Sequence, residues 1–139
     1  MNSNSAVPSL STSTDSLLRL AIRLDATGTG LLGLAAAAFA HSLSRLTGLT
    51  LTQIYISAAA FVFYGVVGNL LAGRPRIRRI GTGLSAFNFV GTAAAVVIAA
   101  SAILPLTGAG TAIVLGCGAY TMFFGLVQLV GVRRLPALG

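Results

Sequence analysis

Three stretches of this chain, 54–73, 81–104 and 109–132, run without a charged residue. Each reaches the length of about 20 mainly apolar residues that a helix needs to cross a bilayer. Backbone groups in hydrocarbon find no water to bond, so an open chain can cross only as helix. A fourth stretch, 17–40, carries Arg19, Arg23 and Asp25 in its first turns and is apolar beyond them. Thr14, Asp15 or Ser16 is placed to cap it. Residues 17–24 would then lie at headgroup level, and 26–39 would complete the crossing. The expected fold is all-α: a polytopic four-helix transmembrane bundle of up-down-up-down topology, occupying 16–134.

Composition supports this reading. The 139 residues are 55% hydrophobic and 8% charged, against about 25% charged in soluble domains. A soluble enzyme and a disordered chain are both excluded. All nine basic residues are arginine, and Asp15 and Asp25 are the sole acids, for a formal charge of +7. Such an excess often marks nucleic-acid binding. Here the arginines punctuate apolar runs and build no basic face, so no nucleic-acid partner is expected.

The chemistry-bearing residues are few. His41 and Cys117 are single, which leaves no disulfide framework and no His- or Cys-based metal or haem site. Cofactors and metals are therefore not expected. Gly28-Thr29-Gly30-Leu31-Leu32-Gly33 matches the dinucleotide pattern G-x-G-x-x-G. That pattern works at a strand-to-helix turn with an acid about 20 residues on; inside a membrane helix it reads as a packing face. No nucleophile–base pair and no paired carboxylates can be assembled, and the chain is not expected to be an enzyme.

The connections fix an orientation. Residues 1–15, rich in Ser and Thr, read as a disordered cytoplasmic tail, and 135–139 as a short one. His41 to Gln53 reads as a polar link, Arg74 to Arg79 as a charge run with a helix-ending proline, and Leu104 to Gly108 as a tight turn. Alternating the spans gathers Arg19, Arg23, Arg74, Arg76, Arg78, Arg79, Arg133 and Arg134 on one side and leaves Arg45 opposite. By the positive-inside rule both termini are cytoplasmic. Arg74, Arg76, Arg78 and Arg79 are chiefly a topology signal, and they are also candidate contacts for anionic lipid headgroups.

Polar groups inside a span are costly, which makes them the first candidates for a site. Four qualify: Asp25, Asn69, Asn88 and Gln128. At 1.5 Å per residue all four lie within roughly 3–14 Å of the cytoplasmic arginines. Each falls on a stripe of small residues: Asp25 with Gly28 and Thr29, Asn69 with Gly65 and Gly68, Asn88 with Ser85 and Thr92, Gln128 with Gly125 and Thr121. Small residues let membrane helices approach, so the four are expected to form one polar cluster in the bundle. Tyr64 and Tyr120 read as packing residues.

The segment Leu18 to Ala26, the glycines that follow it, Arg74-Pro75, Asn88 and the ending Gln128 to Arg134 together resemble a family of small, uncharacterised four-helix integral membrane proteins, mainly actinobacterial. The resemblance covers about Leu17 to Arg134. It implies a bacterial plasma-membrane location and shared roles for Asp25, Asn88 and Gln128, and it brings no activity. Relatives carry a Trp near the asparagine of the third helix; this chain has no Trp. The expected function is a non-enzymatic scaffold or accessory subunit, with spare Gly and Ala faces for a second copy or a membrane partner. The alternative is a minimal transporter or channel-like protein with a cytoplasm-facing polar site around Asp25. Small multidrug transporters share the size, but their coupling residue is a membrane-embedded Glu, and this chain has no Glu.

Overall fold

The computed structural model describes residues 10–137, as five helices and no strand. They are α1 (Leu10–Ala38), α2 (Ala40–Thr47), α3 (Leu51–Ala72), α4 (Ile77–Ser101) and α5 (Gly108–Arg134). Four of them, α1, α3, α4 and α5, are long and apolar enough to cross a membrane. Large apolar side chains such as Leu31, Phe63, Val90 and Phe123 lie on their outer faces. That is the distribution expected of a bundle whose solvent is hydrocarbon.

Two boundaries depart from the sequence expectation. α1 begins at Leu10, so the expected caps Thr14, Asp15 and Ser16 lie within the helix, while its stretch long and apolar enough to cross a membrane runs Asp15–Ala38. Polar residues at headgroup level can continue a helix at little penalty, because water still reaches their side chains. Residues 1–9 of the expected tail lie outside the described residues. The second departure is α2, which occupies most of the expected polar link. It is closed by Gly48 in the left-handed conformation, φ 83°, where a side chain would be strained. A Cβ there would also meet the Pro105 carbonyl oxygen.

α3 opens with a capping box. Thr50 Oγ1 accepts from the Gln53 backbone N–H at 3.2 Å, and the Thr50 N–H donates to Gln53 Oε1 at 2.9 Å. Gln53 is thus spent on the backbone. The arginine run also divides: α4 begins at Ile77, so Arg78 and Arg79 lie in its first turn.

The helices pack as two close pairs, α1 with α3 and α4 with α5, joined by contacts of α1 with α5 and α4. Glycine sets the first seam. A Cβ on Gly33 would meet the Ala58 carbonyl oxygen at 2.7 Å, and one on Gly65 the Ala26 carbonyl oxygen at 2.8 Å. The G-x-G-x-x-G stretch is therefore a helix-packing face within α1.

The second seam is laced by hydroxyls. Ser85 Oγ donates to the Gly125 carbonyl at 2.7 Å, and Thr92 Oγ1 donates to the Gly118 carbonyl at 3.1 Å. These bonds use the second lone pair of carbonyls already inside a helix ladder. Glycine at 118 and 125 leaves those carbonyls open to a neighbouring helix.

The helix ends are tied across the bundle. Arg19, early in α1, donates from Nη1 to the carbonyls of Ala72 (2.6 Å) and Arg74 (2.9 Å) at the end of α3. Those carbonyls lack helical partners and carry the negative end of the dipole, which favours a guanidinium. Arg78 Nη1 likewise donates to the carbonyls of Leu135 (3.1 Å) and Pro136 (2.9 Å) after α5. At the opposite end the Thr107 N–H donates to the Thr47 carbonyl at 2.9 Å, fastening the α4–α5 turn to α2.

Candidate functional site

Asp25 lies on the inner face of α1, flanked by the buried Ile22 and Ala26. Arg23, about 200° round the helix, is exposed. The phase that turns the arginine outward turns the carboxyl inward. It does so completely: Asp25 and Gln128 are 0% exposed and Asn88 3%.

The carboxyl gathers donors from three other helices. Its Oδ2 accepts from Tyr64 Oη at 2.7 Å, Gln128 Nε2 at 2.8 Å and Asn88 Nδ2 at 2.9 Å. Asn88 Nδ2 also donates to Gln128 Oε1 at 3.1 Å. Each NH2 group carries two hydrogens, so Asn88 can serve both acceptors. The other oxygen, Oδ1, receives only Thr29 Oγ1 at the long distance of 3.4 Å. Tyr120 Oη reaches the same turn and donates to the Asp25 backbone carbonyl at 2.9 Å. One acidic residue therefore joins α1, α3, α4 and α5.

Of the four expected members, the structure brings together Asp25, Asn88 and Gln128. Asn69 is a correction. It lies at the edge of the α1–α3 seam, donating to Thr27 Oγ1 at 3.2 Å and to the Gly65 carbonyl one turn back at 2.8 Å. Its reach is used on Thr27 of α1 and on its own helix, and it does not extend to the carboxyl. Tyr64 and Tyr120 are the members that sequence reasoning missed. A signal existed: Tyr64 is four residues before Gly68, and Tyr120 is eight before Gln128. Both phases put the ring near the small-residue face.

The electrostatics are unusual. All the side chains bonded to Asp25 are neutral, and among the described residues the ion pair is Arg19 Nε with Asp15 Oδ2 at 3.1 Å, elsewhere in the bundle. Interhelical hydrogen bonds in membranes average about 0.6 kcal/mol and reach about 1.7 kcal/mol. Several of them converging on one residue give a bundle-wide tie. No group of three His, Cys, Asp or Glu side chains comes together among the described residues.

The arginines separate into two kinds. Arg78 is committed to the α5 terminus, whereas Arg74, Arg76 and Arg79 are exposed. Arg76 and Arg79 line an open cleft together with Thr82 and Pro136. Set beside known proteins, the sequence matches no protein-family model, no curated protein and no solved structure.

Proposed function

We propose that the protein is a non-enzymatic scaffold or accessory subunit of a bacterial plasma membrane, its four spans running up-down-up-down with both termini cytoplasmic. The topology is supported by the end-to-end ties of Arg19 with the α3 terminus and of Arg78 with the α5 terminus. Those ties bring the start of one span to the end of another. The eight-to-one division of arginines supports the orientation. The family resemblance at Asp25, Asn88 and Gln128 agrees with the location.

One observation carries the functional reading. The polar groups best suited to hold a substrate hydrogen-bond one another and present no surface. A transport site must show its carboxyl to water from one side. Here that carboxyl is closed in by side chains of three other helices, an arrangement that strengthens the bundle.

Side-chain amide exchange tests this. The chain has four asparagines and two glutamines, so each NH2 pair is separable by NMR in nanodiscs. The scaffold reading expects the Asn88 and Gln128 protons to exchange with deuterated water at least about 100-fold more slowly than those of Gln53. Exchange of all three at similar rates would remove the reading and favour a minimal transporter open at Asp25.

A further inference from the structure

We propose that the cleft between the start of α4 and the chain that follows α5 binds the headgroup of an anionic phospholipid bearing a free hydroxyl, of the phosphatidylglycerol class. The cleft measures about 850 Å³, ample for a glycerophosphate. It lies where the start of α1, the end of α3, the start of α4 and the end of α5 are tied together. For a chain that spans a membrane, that end is at headgroup level. The inference rests on the membrane-spanning reading proposed above.

Two features of the cleft select the ligand. The first is directed positive charge. Arg76, at the N-cap of α4, and Arg79 and Thr82, in its first turns, all line the cleft. Arg76 and Arg79 are exposed and join no ion pair among the described residues. Arg78 also lines the cleft, but its Nη1 is occupied by the Leu135 and Pro136 carbonyls and holds the opposite wall in position. Two free guanidinium forks on one cleft suit the oxygens of a phosphodiester.

The second feature is an acceptor without a donor. Asp15 borders the same cleft. Its Oδ2 is taken by Arg19, but its Oδ1 is buried and has no hydrogen-bond partner among the described residues. A bare phosphate would be repelled there. The Asp15 side chain is 33% exposed, so a small turn would bring Oδ1 to the cleft, where a headgroup hydroxyl donates to it while the phosphate lies against Arg76 and Arg79. Phosphatidylcholine offers neither net charge nor a donor, and phosphatidic acid lacks the alcohol.

The test uses the full chain in phosphatidylcholine nanodiscs doped with phosphatidylglycerol, with native mass spectrometry counting retained lipid. Arg76→Gln/Arg79→Gln is expected to weaken phosphatidylglycerol retention about 10-fold or more, and Arg133→Gln/Arg134→Gln less than about 3-fold. Asp15→Ala is expected to erase the preference for phosphatidylglycerol over phosphatidic acid while leaving phosphate-dependent retention in place. Should Arg76→Gln/Arg79→Gln fail to fold by circular dichroism, Arg76→Lys/Arg79→Lys keeps the charge. It is expected to lose about 3-fold through the missing forks.

Equal losses from the two arginine pairs would reduce the effect to general attraction and overturn the site. Displacement of the lipid by millimolar inorganic phosphate would reassign the cleft to a soluble anion and overturn it equally. Entry of the parent chain into pure phosphatidylcholine discs is scored separately. Failure there removes the membrane reading and this inference with it, whereas failure only of the phosphatidylglycerol preference removes this inference alone.

Discussion

Replacing Asn88 with alanine removes two hydrogen bonds at a buried crossing of helices, those to Asp25 Oδ2 at 2.9 Å and to Gln128 Oε1 at 3.1 Å. At about 0.6–1.7 kcal/mol for each interhelical bond in a membrane, the pair accounts for about 1–3 kcal/mol. Two further effects push the same way. Gln128 Oε1 loses its donor where water cannot replace it. The side chain also leaves a void beside Gly125, whose added Cβ would already lie 3.3 Å from the Asn88 Cβ, so there is little room for the helices to close it. The expected loss is about 2–4 kcal/mol. Asn69→Ala is the control. It also removes two hydrogen bonds, but one of them stays within α3 and the site is partly exposed, so about 0.5 kcal/mol is expected. Titrating micelle-bound protein with SDS and following tyrosine fluorescence and helicity gives both values. The chain has no tryptophan to mask Tyr64 and Tyr120. If the two variants unfold at the same SDS fraction, the carboxyl-centred tie contributes nothing, and the account of the bundle given above fails.

Other substitutions probe the backbone. Gly48→Ala meets both a positive φ of 83° and the Pro105 carbonyl oxygen, and a loss of more than about 1 kcal/mol in the same titration is expected; a neutral result would mean the α2 turn is free to rearrange. Gly65→Ala puts a Cβ 2.8 Å from the Ala26 carbonyl oxygen and is expected to loosen the α1–α3 seam by about 1–3 kcal/mol. Gly116→Ala, with open space around it, should be neutral or gain up to about 1 kcal/mol from helix propensity. Arg78→Gln releases the carbonyls of Leu135 and Pro136, and amide exchange in the last turn of α5 should rise while that of α3 stays unchanged.

The four long helices were legible because the bilayer imposes a length, and the chain states that length in uncharged residues. Asp25, Asn88 and Gln128 were legible by phase, since each lies on a stripe of small residues and such stripes meet. Asn69 passed the same test and failed in space. Its stripe marks the α1–α3 seam, but a short amide at the rim is satisfied by the Gly65 carbonyl one turn below it. The two tyrosines were missed because an apolar ring in a span is explained by packing alone. Only the position of the hydroxyl, at the far end of the ring, shows otherwise. α2 was missed because eight residues with Ser, His and Arg carry no span signal. What holds them helical is docking, through the bond from Thr107 to Thr47. Arg19 looked like a headgroup arginine and instead closes the terminus of α3, which depends on a partner 53 residues away along the chain.

The donors to Asp25 Oδ2 are contributed in the order in which the chain is made. Tyr64 arrives with α3, Asn88 with α4 and Gln128 with the last turns of α5. A nascent chain that has inserted only its first two long helices thus holds a membrane acid with one of its three Oδ2 donors, and each later helix adds another. The carboxyl keeps a running count of the helices in place, and the count is complete only when the C-terminal helix has entered. A truncation at residue 107 would leave Tyr64 and Asn88 bonded but Gln128 absent. It would expose to membrane quality control the one acid that the finished protein hides.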